Sequence, residues 1–191
     1  MEETLIKENE ITEQKAENTE KRRKKRERSP MDYAQRFLVT ALAVVIVIWL
    51  MVSVVFGFIA APNNDMYPRI DSGDLLLFYR FDRQVHSQDI IILDKNDTRY
   101  VGRVVAIEGD TVDITDDNRL IINGHSVIEP NIFYETSRYE GFVEYPLTIG
   151  KGECFVLVDS RQQGEDSRYY GVVKTDEIKG TVITVVRRTN L

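Results

Sequence analysis

Between Phe37 and Ala61 the chain carries no charged residue over 25 positions, FLVTALAVVIVIWLMVSVVFGFIAA. As a helix, at about 1.5 Å per residue, such a run exceeds the roughly 30 Å hydrocarbon core of a bilayer and predicts a tilted membrane span over 36–61. A cleaved leader has a shorter apolar region and small residues first and third before the cut. Here a cut after Ala61 puts Ile59 third, a cut after Ala60 puts Phe58 there, and Pro62 follows directly. The run therefore reads as an uncleaved anchor between a tail at 1–35 and a domain at 62–191.

The tail is polar, lacks aromatics through residue 30, and suits a disordered segment or a loose helix. It ends in KRRKKRER (21–28), whose position before the span predicts a cytoplasmic N-terminus. The expected location is the cell membrane, single-pass, with the C-terminal domain extracellular. The same cluster suits the anionic headgroups of the lipid bilayer. Residues 62–191 hold fifteen Lys/Arg against twenty-two Asp/Glu, a balance that argues against nucleic acid as a partner. Cys154 is the only cysteine, which excludes an internal disulfide, and two histidines, His86 and His125, make a multi-histidine metal site improbable. No metal or other cofactor is expected.

The outer portion predicts a mainly β fold. DLLLFYR (74–80), QDIIILD (88–94), TRYVGRVVAI (98–107), ECFVLVD (153–159), RYYGVVKT (168–175) and TVITVVR (181–187) are β-branched or aromatic runs between polar turns. In RLIINGHSVI (119–128), Asn123-Gly124 predicts a hairpin with a two-residue type I′ turn.

Four stretches in this order resemble type I signal peptidases, the membrane-anchored Ser/Lys endopeptidases: PNNDMYPRIDSGDLLLF (62–78), QDIIIL (88–93), YVGRVVAIEGDTV (100–112) and VDSRQQGEDSRYYGVV (158–173). The resemblance implies an antiparallel β-sheet or barrel ectodomain behind one transmembrane helix. It also carries departures at the reacting positions. The family's nucleophilic serine, which precedes Met-x-Pro, corresponds to Asp65, and the general-base lysine, which precedes Arg103, to Gly102. The serine that orients the lysine corresponds to Gly164, and the hydroxyl residue two positions before the nucleophile to Asn63. Frame positions persist at Met66, Pro68, Gly73, Asp74, Arg103, Gly109, Asp110, Asp159, Arg161, Asp166, Ser167, Arg168 and Gly171.

A Ser/Lys dyad needs a neutral amine to take the hydroxyl proton. Gly102 offers no amine and Asp65 no hydroxyl. A carboxylate attacking a peptide would form a mixed anhydride with nothing beside it to activate water. The remaining chemistry is a proton-sharing carboxylate pair, with Asp71, Asp74 or Asp166 beside Asp65. Ser72 reads as a turn residue, Lys95 has no positional support as a base, and Cys154 reads as a small buried hydrophobe.

The resemblance thus points to an inactive homologue, like the catalytically defective signal peptidase relatives associated in Gram-positive bacteria with sortase-linked pili. It implies an accessory or chaperone-like factor that binds pilin or sortase. The alternative is an active endopeptidase with atypical catalytic residues. The implied peptide groove is Asp65, Met66, Tyr67, Pro68, Gly102 and Arg103, with Asp166 and Arg168 as a structural ion pair shaping the site. Five aromatics at 129–153, Phe133, Tyr134, Tyr139, Phe142 and Tyr145, suit either ordinary packing or a partner-binding face.

Overall fold

The computed structural model of the 191-residue chain describes residues 12–20, 30–82, 84–130 and 132–188. The basic block at 21–28 lies outside them. The chain forms two units, Met1–Met51 and Val52–Leu191.

In the first unit residues 12–20 are helical (α1). A 26-residue helix, α2 (Pro30–Val55), follows and runs into the second unit. At about 1.5 Å per residue it is about 39 Å long, and it is long and apolar enough to cross a membrane. Its bounds differ from the expected 36–61. It starts earlier, through Asp32 and Arg36, and the last residues of the uncharged run leave it to form a strand, β1 (Phe56–Ala60). Two causes act together there. Gly57 is a poor helix residue, and β1 pairs residue for residue with β2 (Leu75–Tyr79). Gly57 also admits the Phe78 ring, which a Cβ at that position would meet at 2.3 Å.

The remaining strands are β3 (Ile90–Lys95), β4 (Thr98–Ile107), β5 (Thr111–Ile114), β6 (Leu120–Ile122), β7 (His125–Ser126), β8 (Leu147–Thr148), β9 (Glu153–Leu157), β10 (Val173–Lys174) and β11 (Ile178–Val186). They build one antiparallel sheet in the order β1-β2-β11-β3-β4-β9-β10 and a smaller one in the order β7-β6-β5-β8. The architecture is mainly β, behind an N-terminal apolar helix. Ile90 to Leu93 are all buried, as a central strand covered on both faces requires. Asn123 and Gly124 have φ of 53° and 79° and close the expected hairpin. A second two-residue turn, Asn96-Asp97, joins β3 to β4, also with positive φ at both positions.

The run at 168–175 is not one strand. Asp166 caps a short helix, α3 (Ser167–Tyr170), its side chain accepting from the Arg168 N–H. Gly171 ends the helix at φ 79°, and only Val173–Lys174 pair with β9. Met66, Ile70, Leu76, Phe78, Ile92, Val101 and Val158 form the core cluster beneath the β1–β2 loop. Val105, Val112, Ile114, Phe155 and Leu157 join the two sheets.

Candidate functional site

The loop from Ala61 to Asp74 carries the site. Its ends are pinned by Ala61 N–H donating to the Asp74 carbonyl (2.8 Å) and Gly73 N–H donating to the Ala61 carbonyl (3.0 Å). Met66 and Ile70 plug into the core, which leaves Asp65 half-buried and Tyr67 and Pro68 exposed. The chain leaving β9 approaches from the other side, where Ser160 N–H donates to the Asp65 carbonyl at 2.8 Å.

Asp65 is held from two directions. Asn63 Nδ2 donates to its carboxylate at 2.7 Å, and the Asp65 N–H returns a 3.2 Å bond to Asn63 Oδ1. Gly164 lies against the carboxylate: a Cβ there would sit 3.0 Å from Asp65 Cγ and 2.6 Å from Val158 Cγ2. Burial pushes the Asp65 carboxyl above the usual carboxylate range, donation by Asn63 opposes this, and the charges of Asp166 and Glu165 raise it further. The carboxylate opens onto a cleft of about 370 Å³ whose other side chains are those of Asn64, Tyr67, Tyr134, Ser160, Gln162 and Gln163. Amides, hydroxyls and one carboxylate line it, and no lysine or histidine.

Asn63, Asp65 and Gly164 are therefore brought together. Gly102 is not in contact with them. It is buried in β4, opposite Ile91, and a Cβ there would lie 2.4 Å from Val156 Cγ1 and 3.4 Å from the Leu157 carbonyl oxygen. Val156 fills the room in which a side chain at 102 would start. Of the six residues expected to line a groove, Asp65, Tyr67 and Pro68 face clefts, whereas Met66 and Gly102 are buried. Arg103 reaches a small recess that it shares with Gln88, Glu129 and Arg69, its guanidinium held by Asp159 at 2.8 and 2.6 Å.

Asp166 and Arg168, both fully buried, form a two-pronged pair at 2.9 and 2.8 Å. Asp166 also accepts from the N–H groups of Arg168 and Val158, so both its oxygens are occupied. Arg168 lies over Tyr139 at 4.3 Å, and the Tyr139 hydroxyl donates to the Gly164 carbonyl at 3.0 Å. Asp74 accepts from the N–H groups of Asp71 and Arg188, which hold its carboxyl low. Of the three carboxylates expected as partners for Asp65, Asp166 and Asp74 have both oxygens engaged, and Asp71 is exposed and lines the neighbouring cleft with Arg69 and Arg188. Lys95 is bound to Glu177 and the Val172 carbonyl, and burial pushes the Cys154 thiol up to about 12.

The aromatic stretch divides. Tyr145 packs on Phe155, Tyr139 under Arg168 and Phe142 on Tyr169, while Phe133 and Tyr134 are exposed at the clefts. Sequence reasoning missed Val156 and Val158, which fill the positions beside the two glycines. It also missed the strap in which Arg161 binds Thr136 and Glu129. No fixed spacing marks any of these: the Gly102–Val156 and Arg161 contacts join segments far apart in the chain, and the Val158–Gly164 contact depends on how the intervening loop turns.

Residues 34–187 match the family model of signal peptidase, peptidase S26. Signal peptidase I T of Bacillus subtilis is 27% identical over 183 residues, covering 90% of this chain and 92% of the relative. Signal peptidase I of Bacillus licheniformis is 30% identical over 156 residues, covering 75% and 83%. A crystal structure of a signal peptidase I from Enterococcus faecalis V583 is 31% identical, covers 53% of this chain and 97% of its own, and superposes with a TM-score of 0.43. A β domain behind an apolar helix, with this ordered set of segments, defines a signal peptidase I-like protein. The chain belongs to the peptidase S26 family of signal peptidases, and α2 fits a membrane location.

Proposed function

We propose that the protein is a non-catalytic member of this family that holds an extended segment of a secreted partner at the membrane and does not cut it. The observation that carries the reading is the Asp65 cleft, whose lining offers no amine, imidazole or thiol to activate a nucleophile or a water. Gly102 supplies no base, and its neighbour Val156 occupies the space a longer side chain would enter. Backbone pairing and shallow pockets bind an extended peptide without reactive groups. The resemblance of Asp65 and Gly102 to the replaced dyad positions of the defective Gram-positive homologues supports assembly of sortase-linked pili as the task, with pilin or sortase as partner. The basic block at 21–28 supports a cytoplasmic tail and an extracellular domain, and α2 supports the span between them.

An active endopeptidase with atypical residues has one observation in its favour, the upward shift of the Asp65 carboxyl. An aspartic dyad needs two carboxyls sharing a proton, and Asp166, the carboxylate whose charge acts most on Asp65, has both oxygens engaged by N–H donors and Arg168. Deleting the gene tests the assembly role: surface pili are lost while general secretion continues. A deletion strain with normal pili would contradict it.

A further inference from the structure

Six arginines of the β domain pair with carboxylates: Arg99, Arg103, Arg119, Arg138, Arg161 and Arg168. Arg80 donates to the Phe56 carbonyl. Among the described residues of this domain three guanidiniums are left with no ion pair or side-chain hydrogen bond, those of Arg69, Arg187 and Arg188. All three line one cleft of about 680 Å³. They arrive from two places, Arg69 from the β1–β2 loop and the other two from the chain leaving β11. Their convergence is therefore a product of the fold and not of a basic run.

The cleft also holds two carboxylates, which leave the arginines in excess although the Arg187 charge acts on Asp74. Asp74 is buried and bound to the backbone N–H groups of Asp71 and Arg188. Asp71 is exposed at the turn, where its carboxylate accepts from the Ser72 N–H. The balance is three positive groups against two negative ones, in a domain whose sequence is net acidic. The remaining wall is Tyr67, Pro68 and Phe133, with Tyr67 50% and Phe133 76% exposed. These are flat surfaces on which an extended chain can lie. Tyr67 also lines the Asp65 cleft, and Phe133 adjoins Tyr134 of that cleft in sequence. The two recesses are thus neighbours on one surface.

Resting on the reading of the Asp65 cleft as a peptide site, we infer that the Arg69, Arg187 and Arg188 cleft is its acidic-residue subsite. It takes the carboxylate of a Glu or Asp in the bound segment of the partner. Guanidinium forks pair with carboxylates through two parallel hydrogen bonds and give geometric selectivity as well as affinity. A peptide is favoured over a lipid headgroup as occupant because the wall is aromatic and continuous, through Tyr67, with the Asp65 cleft. A segment lying across both recesses would be read at one end by arginines and at the other by Asp65 and the amides of Gln162 and Gln163.

The test selects short random peptides from a phage library on the full chain held in detergent micelles. The wild type is expected to enrich peptides with a Glu or Asp at a constant position. Replacing that residue by Gln should weaken binding about tenfold or more, as loss of a charge-assisted bond predicts. Arg69→Glu/Arg187→Glu/Arg188→Glu should instead enrich Lys or Arg at that position, a gain no misfolded protein can give. Asp65→Ala should weaken binding of every selected peptide yet keep the acidic preference. Enrichment with no acidic preference, or a preference the triple variant retains, would overturn this subsite and leave the groove reading standing. Failure to select any peptide would overturn both. Displacement by glycerophosphoglycerol, a soluble lipid headgroup, at lower concentration than by a selected acidic peptide would reassign the arginines to lipid and overturn the subsite.

Discussion

At Asp65 the balance between burial and hydrogen bonding sets a pH signature. The carboxyl titrates higher in the folded chain than in the unfolded one, burial being the first cause. Near neutral pH the folded state must hold a charge it disfavours. As the pH falls through the folded value the proton is taken up first by the folded chain, and stability rises relative to neutral pH. Asp65→Asn, which keeps an acceptor for Asn63, should therefore raise Tm at pH 7. The gain should shrink as the pH drops toward the usual carboxylate range, and a Tm difference independent of pH would contradict the assignment. At position 102 the prediction is steric. A side chain placed 2.4 Å from Val156 Cγ1 forces that strand apart, and Gly102→Lys should cost about 1–3 kcal/mol, the usual penalty of overpacking. Combining it with Val156→Ala should recover part of that loss. Asp65→Ser with Gly102→Lys should give no cleavage of a signal-peptide substrate, since Gly164 cannot orient the lysine and Val156 blocks its path.

Among the elements, α3 and its cap bind the site to the frame. Asp166 and Arg168 are 0% exposed, and their pair joins β9, the 137–139 segment and the Gly164 loop through Val158 N–H, the Ser137 carbonyl and Tyr139. Arg168→Ala leaves Asp166 buried without its cation and should cost about 3–5 kcal/mol in denaturant unfolding. A loss under about 1 kcal/mol would mean the pair contributes no more than a surface bridge. This element also marks where sequence reading stopped. Apolar alternation and Asn-Gly revealed β2, β3, β4, β9, the core of β11 and the hairpin, because those signals are local. RYYGVVKT reads as a strand by the same rule, yet the Asp166 cap and Gly171 turn its first half into a helix. FGFIA reads as membrane span, yet pairing with β2 claims it. The four positions at which the resemblance implies a departure are legible residue by residue, and three of them, Asn63, Asp65 and Gly164, meet in space. That Val156 packs against Gly102 is not legible in the sequence, since the β4–β9 pairing that brings it there is long-range.

At the scale of the whole molecule, we propose that a signal peptidase frame holds peptide and does not hydrolyse it. The buried pairs Arg103–Asp159 and Asp166–Arg168, with the partly buried Arg161–Glu129, brace the loops around Asp65, and the clefts on either side of Tyr67 stay open. Binding and cutting separate in one experiment. The full chain in micelles is incubated with a fluorescent signal-peptide substrate, following anisotropy for binding and mass spectrometry for products. The account predicts saturable binding with the substrate recovered intact. Specific cleavage at one bond, abolished by Asp65→Ala, would contradict it.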